Sequence, residues 1–302
     1  MKKAFLILLF ISRAIWAQES AYDLKYEPNR PRSFLIPPLL SAILPGFDQY
    51  VEGQLSYGFS YTGTALTGLG IQYIFKDYSD YSLDTQNDKA RMYQLGGEFY
   101  KVGIGLSSFH SFRTAAKSRD DFPFLKDEES PKDLLLSPFR FSYLSRPTTY
   151  LGIPGILVLD VLVGSLMNSG EENNRSTSWH VKWTDFFFAG SISSGAGISE
   201  EAIFRGWLMP VTNYYVKSPW VSNLITALLF GAAHFGGDNT FPLPQALAGY
   251  YFGYVTQKND WGIGESIFIH TWLDVIAFLV GYATGPGEEK DHILYIPISF
   301  SF

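Results

Sequence analysis

The 302-residue sequence predicts an all-α fold, a polytopic transmembrane helical bundle of about seven membrane helices with its functional core in the C-terminal half. Three observations carry this expectation. Apolar runs approaching the length of a membrane span recur along the chain, with polar loops between them. Charged residues make up only 17% of the chain, while aromatics also reach 17%, with 25 Phe and 19 Tyr; soluble domains carry roughly 25% charge. Isolated ionisable side chains lie inside the last apolar runs, where a charge near the bilayer centre costs roughly 2.5–3.5 kcal/mol and faces the bundle interior.

Residues 1–17 read as a signal peptide. Lys2 and Lys3 precede a short apolar run, Ala4 to Ile11, and Ala14-Ile15-Trp16-Ala17 supplies the small-residue cleavage pattern. Residues 35–116 form an N-terminal membrane segment to which no role attaches. Its first run, Leu35 to Phe47, is broken by Pro37, Pro38 and Pro45 and reads as re-entrant or as a kinked span. Tyr57 to Phe75 is uncharged, and Val102 to Ala116 is a weaker run containing His110 and Arg113. Residues 117–148 are a polar loop with the densest basic cluster, from Lys117 to Arg146, which the positive-inside rule places in the cytoplasm. A periplasmic N-terminus agrees with that placement only if Leu35 to Phe47 is a full crossing.

The core, residues 149–285, holds Tyr150 to Met167 (interrupted by Asp160), Thr184 to Met209, Val221 to Phe235, Leu243 to Thr256 and Ile263 to Tyr282. Gly190, Ser194 and Gly195 would allow close helix approach in lipid. Residues 286–302 are a tail in which Leu294, Ile296, Ile298, Phe300 and Phe302 alternate with polar residues as in a strand. One such segment falls far short of the eight or more that a membrane β-barrel needs.

The net charge of −6 argues against a nucleic-acid partner, which requires a basic surface. With no cysteine in the chain, disulfides and thiolate metal sites are excluded. The expected partners are the lipid bilayer and a peptide or membrane-protein substrate, and the expected location is a bacterial inner (cytoplasmic) membrane crossed several times. The stretch Ser41 to Tyr50, SAILPGFDQY, is similar to an LPGxGQ-type pattern of small bacterial membrane proteins, with Asp48 where that pattern has glycine. A plain Pro/Gly helix–turn–helix explains it equally well.

The chemistry concentrates in three runs. Phe186 to Ser199 is uncharged, and then Glu200, Glu201 and Arg205 follow; His234 is the ionisable group of Val221 to Phe235; His270 and Asp274 are those of Ser266 to Tyr282. Glu201 and Arg205, four apart, share a helix face and can pair. Glu200 points about 100° away and is free to act elsewhere. Three helices can thus direct Glu200, His234 and His270 or Asp274 at one point, a base with polar partners suited to activating water. Among the remaining polar groups, His110, His180 and His292 read as solvated or structural, and Asp185 as a helix N-terminal cap.

The motifs Glu200-Glu201-Ala-Ile-Phe-Arg205, Phe230-Gly-Ala-Ala-His234 and His270-Thr-Trp-Leu-Asp274 resemble the EExxxR, FxxxH and HxxxN/D motifs of the CPBP family of intramembrane peptidases, which includes type II CAAX-prenyl endopeptidases and bacteriocin-immunity (Abi) proteins. The resemblance covers Thr184 to Tyr282. It implies that Glu200 and His234 activate water for attack on a peptide carbonyl, that Glu201 and Arg205 orient the site, and that His270 and position 274 stabilise the oxyanion. Position 274 is often Asn in the family; here Asp274 either donates as an acid or accepts from His270 and holds its tautomer. Glu200, His234 and His270 are also candidate ligands for Zn2+, since one Glu and two His leave a fourth position open, although a metal-independent mechanism is equally argued for the family. The alternative is a non-catalytic membrane scaffold or immunity-type binding protein built on the same bundle.

Overall fold

The computed structural model describes residues 32–81, 86–167, 182–236 and 242–284. The signal peptide, the alternating tail, His180 and His292 lie outside these residues, as does the side chain of Asp160. All regular elements among the described residues are helical.

The first run is not one continuous helix. Ile36–Ile43 (α1) has eight residues, about 12 Å at 1.5 Å per residue against a core of about 30 Å. The chain then turns at Gly46 into a second short helix, Phe47–Val51 (α2). Gly46 has φ of 92°, and a Cβ there would stand 2.5 Å from the carbonyl oxygen of Gly58. Of the readings offered for SAILPGFDQY, the helix–turn–helix describes its conformation.

Leu55–Ile74 (α3) and Asp88–Lys117 (α4) follow and pack along each other. At 30 residues, α4 begins well before the apolar run that announced it. Its first half carries Asp88, Lys89, Arg91, Glu98 and Lys101, charges that hide its interior character, although Arg91 and Lys101 find carboxylates on the helix Trp183–Ile203. Arg91, for example, lies 2.7 Å from Asp185. The loop after α4 is ordered by two short helices, Pro131–Leu136 (α5) and Pro147–Tyr150 (α6). Glu129 of this loop accepts backbone N–H bonds from Ile263 at 2.6 Å and Gly264 at 2.9 Å, tying the loop to the start of the last helix.

Gly152–Met167 (α7), Trp183–Ile203 (α8), Met209–Val216 (α9), Pro219–Ala233 (α10), Leu243–Lys258 (α11) and Gly264–Thr284 (α12) complete the bundle. Asp185 caps α8 from inside its first turn, accepting from the Lys182 N–H at 2.7 Å. The central packing layer joins α3, α4, α5, α8 and α12 through Tyr61, Leu106, Phe109, Leu134, Ile198 and Ile267. A second layer, with Phe252, Ile269 and Leu273, joins α7, α11 and α12.

The distribution of polarity suits lipid rather than water. Leu66 on α3, Val158 and Leu162 on α7, and Leu224 and Leu228 on α10 are all at least half exposed, whereas the charged groups of α8 and α12 are buried. Large exposed apolar faces of this kind mark contact with a membrane or partner. Among the described residues, Gly264–Ala283 is the helix both long and apolar enough to cross a membrane, with Pro147–Val163 and Pro219–Ala233 as shorter apolar helices.

Candidate active site

The site forms where α8, α10 and α12 meet, with α4 behind them. Glu200 and Glu201 lie in the last turn of α8, and after Ile203 the backbone widens into a π-helical turn, Phe204–Leu208, that carries Arg205. Single π turns inside α-helices occur frequently at functional sites. Gly206 in this turn lets α4 come close, since a Cβ there would lie 2.5 Å from the Phe109 ring.

Arg205 and Glu201 are wholly buried and lie 3.0 Å apart. The other arm of the guanidinium donates to the Gly249 carbonyl on α11 at 2.6 Å, and its face stacks over Phe230 at 4.4 Å. Glu201 therefore turns away from Glu200, as the 100° step between neighbouring helix positions requires. Its Oε1 also faces His270 Nδ1 at 3.0 Å. A carboxylate that pairs with arginine only accepts, so the His270 Nδ1 carries a proton and donates it. The sequence left open whether Asp274 holds the His270 tautomer; that position at Nδ1 belongs to Glu201. Asp274 Oδ2 sits instead on the opposite edge of the ring, 3.5 Å from Nε2. Phe252 stacks on the imidazole at 4.9 Å, fixing its plane.

His234 follows the last residue of α10. Its Nδ1 is 2.6 Å from the Phe230 carbonyl, which can only accept. The proton therefore resides on Nδ1, and Nε2 faces Glu200 Oε2 at 3.7 Å. His270 Nε2 faces the same oxygen at 3.8 Å. Both Glu200 oxygens are buried and accept no hydrogen bond among the described residues. Ile156, Ala248 and Leu273 wall a cavity that reaches His234, His270 and Asp274. All six residues singled out in the sequence thus stand within one buried cluster.

Two groups in contact with it were not singled out. Lys101 Nζ on α4 lies 3.6 Å from Glu200 Oε1 and 2.7 Å from Glu98 Oε1. The available signal was an opposite-charge pair three residues apart amid Gly96, Gly97, Gly103 and Gly105, in a segment where unpaired charges would not enter a bundle. Close approach of the helices explains how α4 reaches the site: a Cβ on Gly195 of α8 would lie 2.6 Å from the Glu98 Cβ. Gly190, expected to play the same part, has no neighbour within 4 Å of its would-be Cβ.

Among the described residues no three His, Asp or Glu side chains converge as a metal site. The donor atoms of Glu200, His234 and His270 face one another, but the Lys101 ammonium already supplies a cation to the carboxylate.

The segment 182–276 matches the family model of the type II CAAX prenyl endopeptidases, Rce1-like. The match covers about a third of the chain and includes all six motif residues, in agreement with the resemblance that the motifs carry. No curated protein and no solved structure matches the chain.

Proposed function

We propose that this chain, whose segment 182–276 has the sequence of a type II CAAX prenyl endopeptidase-like domain, is a multi-pass endopeptidase of a bacterial inner membrane that hydrolyses a peptide bond of a membrane-associated substrate. The single observation that carries the reading is the Glu200 carboxylate, buried, free of hydrogen bonds among the described residues and faced through Oε2 by two imidazole nitrogens at 3.7 and 3.8 Å. Polar groups at such separations are commonly bridged by water. A water donating one proton to Glu200 Oε2 and the other to His234 Nε2 turns its lone pairs toward the cavity, where a substrate carbonyl would lie.

Attack of that water on the carbonyl carbon transfers one of its protons to Glu200 and generates a tetrahedral oxyanion. His270, held at Nδ1 by Glu201, donates from Nε2 to the developing negative charge in its doubly protonated form, with the Asp274 carboxylate at that edge as counter-charge. Collapse breaks the C–N bond, and the proton held by Glu200 passes to the leaving amine. Arg205 fixes Glu201 and, through it, the imidazole. The apolar cavity wall suits an unwound, lipid-embedded peptide segment. No step runs through a metal, and activity is expected to survive chelation by EDTA; loss on chelation with recovery on added Zn2+ would assign Glu200, His234 and His270 as its ligands instead.

The test is comparative N-terminal proteomics of membranes from cells carrying the wild type or Glu200→Ala. New protein termini present only with the wild type are expected, and identical termini in both strains would overturn the reading.

A further inference from the structure

The family match begins at residue 182, yet the Glu200 carboxylate is completed from outside it. The two oxygens of Glu200 face different partners. Oε2 points at His234 and His270, while Oε1 points at Lys101 Nζ, 3.6 Å away on α4. The lysine is itself held 2.7 Å from Glu98, one turn earlier on the same helix. Glu98 is buried, and the Lys101 side chain is only 14% exposed. The groups surrounding Glu200 are therefore Lys101 and Glu98 from α4, His234 from α10, His270 and Asp274 from α12, and Glu201 and Arg205 from its own helix segment.

Two alternatives explain a lysine–glutamate pair at this depth. It could merely lock α4 to α8, as Arg91 and Asp185 do elsewhere along the same interface. In that pair, however, both oxygens of the carboxylate are engaged, one of Asp185 by the arginine and the other by the Lys182 N–H. The Lys101–Glu98 pair instead presents its ammonium to a third group, the carboxylate read as the base. A fixed cation on one carboxylate oxygen restricts rotation of the side chain and leaves the other oxygen presented to the water. It also provides a counter-charge beside a buried carboxylate, which is strongly disfavoured when uncompensated.

We infer that Lys101, held by Glu98, is a positioning residue for the reaction: it anchors Oε1 of Glu200 so that Oε2 is presented between the two histidines. The N-terminal membrane segment would thereby contribute directly to the site, and residues 149–285 would not suffice for activity. The inference rests on the peptidase reading of the same site.

The experiment quantifies, by the N-terminal proteomics above and per amount of full-length protein that elutes as a single species in detergent, the termini that depend on Glu200. Lys101→Met is expected to lower them about 10- to 100-fold, the scale seen when partners orienting a reactive group are removed. Lys101→Arg, which retains the cation, is expected to recover most of the loss. Glu98→Gln keeps the lysine but removes its anchor, so an intermediate loss is expected, and this variant serves if Lys101→Met does not fold. A merely structural pair would tolerate the exchange Glu98→Lys with Lys101→Glu, which preserves an ion pair; placing a carboxylate against Glu200 is expected to abolish cleavage. Wild-type levels of Glu200-dependent termini in folded Lys101→Met, or in folded Glu98→Gln if the former does not fold, would overturn the inference while leaving the peptidase reading intact. Absence of any Glu200-dependent terminus would instead remove the peptidase reading itself.

Discussion

Two buried polar clusters on the two sides of α4 obey opposite rules. Near α2, Asp48 accepts from Arg32 at 2.6 Å and from Ser111 at 2.8 Å, while Gln49 accepts from Ser107 at 2.8 Å and donates to the Ser107 carbonyl at 3.2 Å. Both oxygens of Asp48 and the amide oxygen and nitrogen of Gln49 are engaged by direct hydrogen bonds. At the other cluster Glu200 has both oxygens buried and no hydrogen bond among the described residues, with its neighbours at 3.6–3.8 Å. Saturation stabilises a fold, because an unmet buried polar group costs about 1–3 kcal/mol. A cluster that keeps reactive atoms slightly apart forgoes that stabilisation and leaves space for a substrate or water. The difference separates a structural network from a reactive one by geometry.

Substitutions at the two clusters should therefore dissociate activity from stability. The largest effect is expected at Glu200→Ala, which should lower cleavage by about 10²- to 10⁴-fold, the usual contribution of a general base. Thermal unfolding in detergent should be unchanged or shifted upward. Asp48→Ala should do the reverse, costing about 2–3 kcal/mol of stability for a charged hydrogen-bonded group while cleavage per folded molecule stays at the wild-type level. A stability loss at Glu200 as large as that at Asp48 would break the comparison.

Arg205→Lys tests whether the support of the reactive cluster needs fork geometry. Lysine cannot reach Glu201 and the Gly249 carbonyl together or stack on Phe230 in the same way, so about a 10-fold or greater loss of activity is expected, measured on the same termini. Asp274→Asn should have a smaller effect, because an amide retains an acceptor and gains donors toward the oxyanion; Asp274→Ala should be the more damaging of the two.

The smallest expected effect concerns the loop that braces α12. Burial and the neighbouring Asp127 charge push the Glu129 carboxyl up to about 7, against the opposing pull of the Ile263 and Gly264 N–H groups and Arg113. Its folded-state value exceeds the ordinary value of 4.5, so the folded protein binds the extra proton. Stability from this group is then present below about 4.5 and is lost as pH rises toward about 7. Glu129→Gln should flatten that slope in thermal unfolding measured across the same range, while an unchanged slope would place its origin elsewhere.

Much of this arrangement was legible in the sequence, for identifiable reasons. The apolar runs that form helices α3, α7, α8, α10, α11 and α12 announce themselves because long stretches of each carry no charge. Glu200, Glu201, Arg205, His234, His270 and Asp274 stand out because each interrupts or terminates such a run. The 100° step between helix neighbours separates the two glutamates before any coordinates are known. α4 was legible only in its second half, since the charges of its first half obscure an apolar run, and the partners of Arg91 and Lys101 lie on a helix about a hundred positions away. For the same reason Glu98 and Lys101 escaped notice: as a local pair they resemble the solvated face of a helix. The contact between Glu201 and His270 spans 69 positions, and no periodicity within one helix encodes it.

The central claim is that the open Glu200–His234 cluster performs hydrolysis, and comparative N-terminal proteomics of four strains tests it most directly: wild type, Glu200→Ala, His234→Ala and Asp48→Ala. The termini specific to the wild type should vanish in both Glu200→Ala and His234→Ala, and should persist in Asp48→Ala in proportion to the protein that remains folded. Undiminished termini in Glu200→Ala and His234→Ala, with both proteins present in the membrane, would contradict the account and leave a bundle that binds without cleaving.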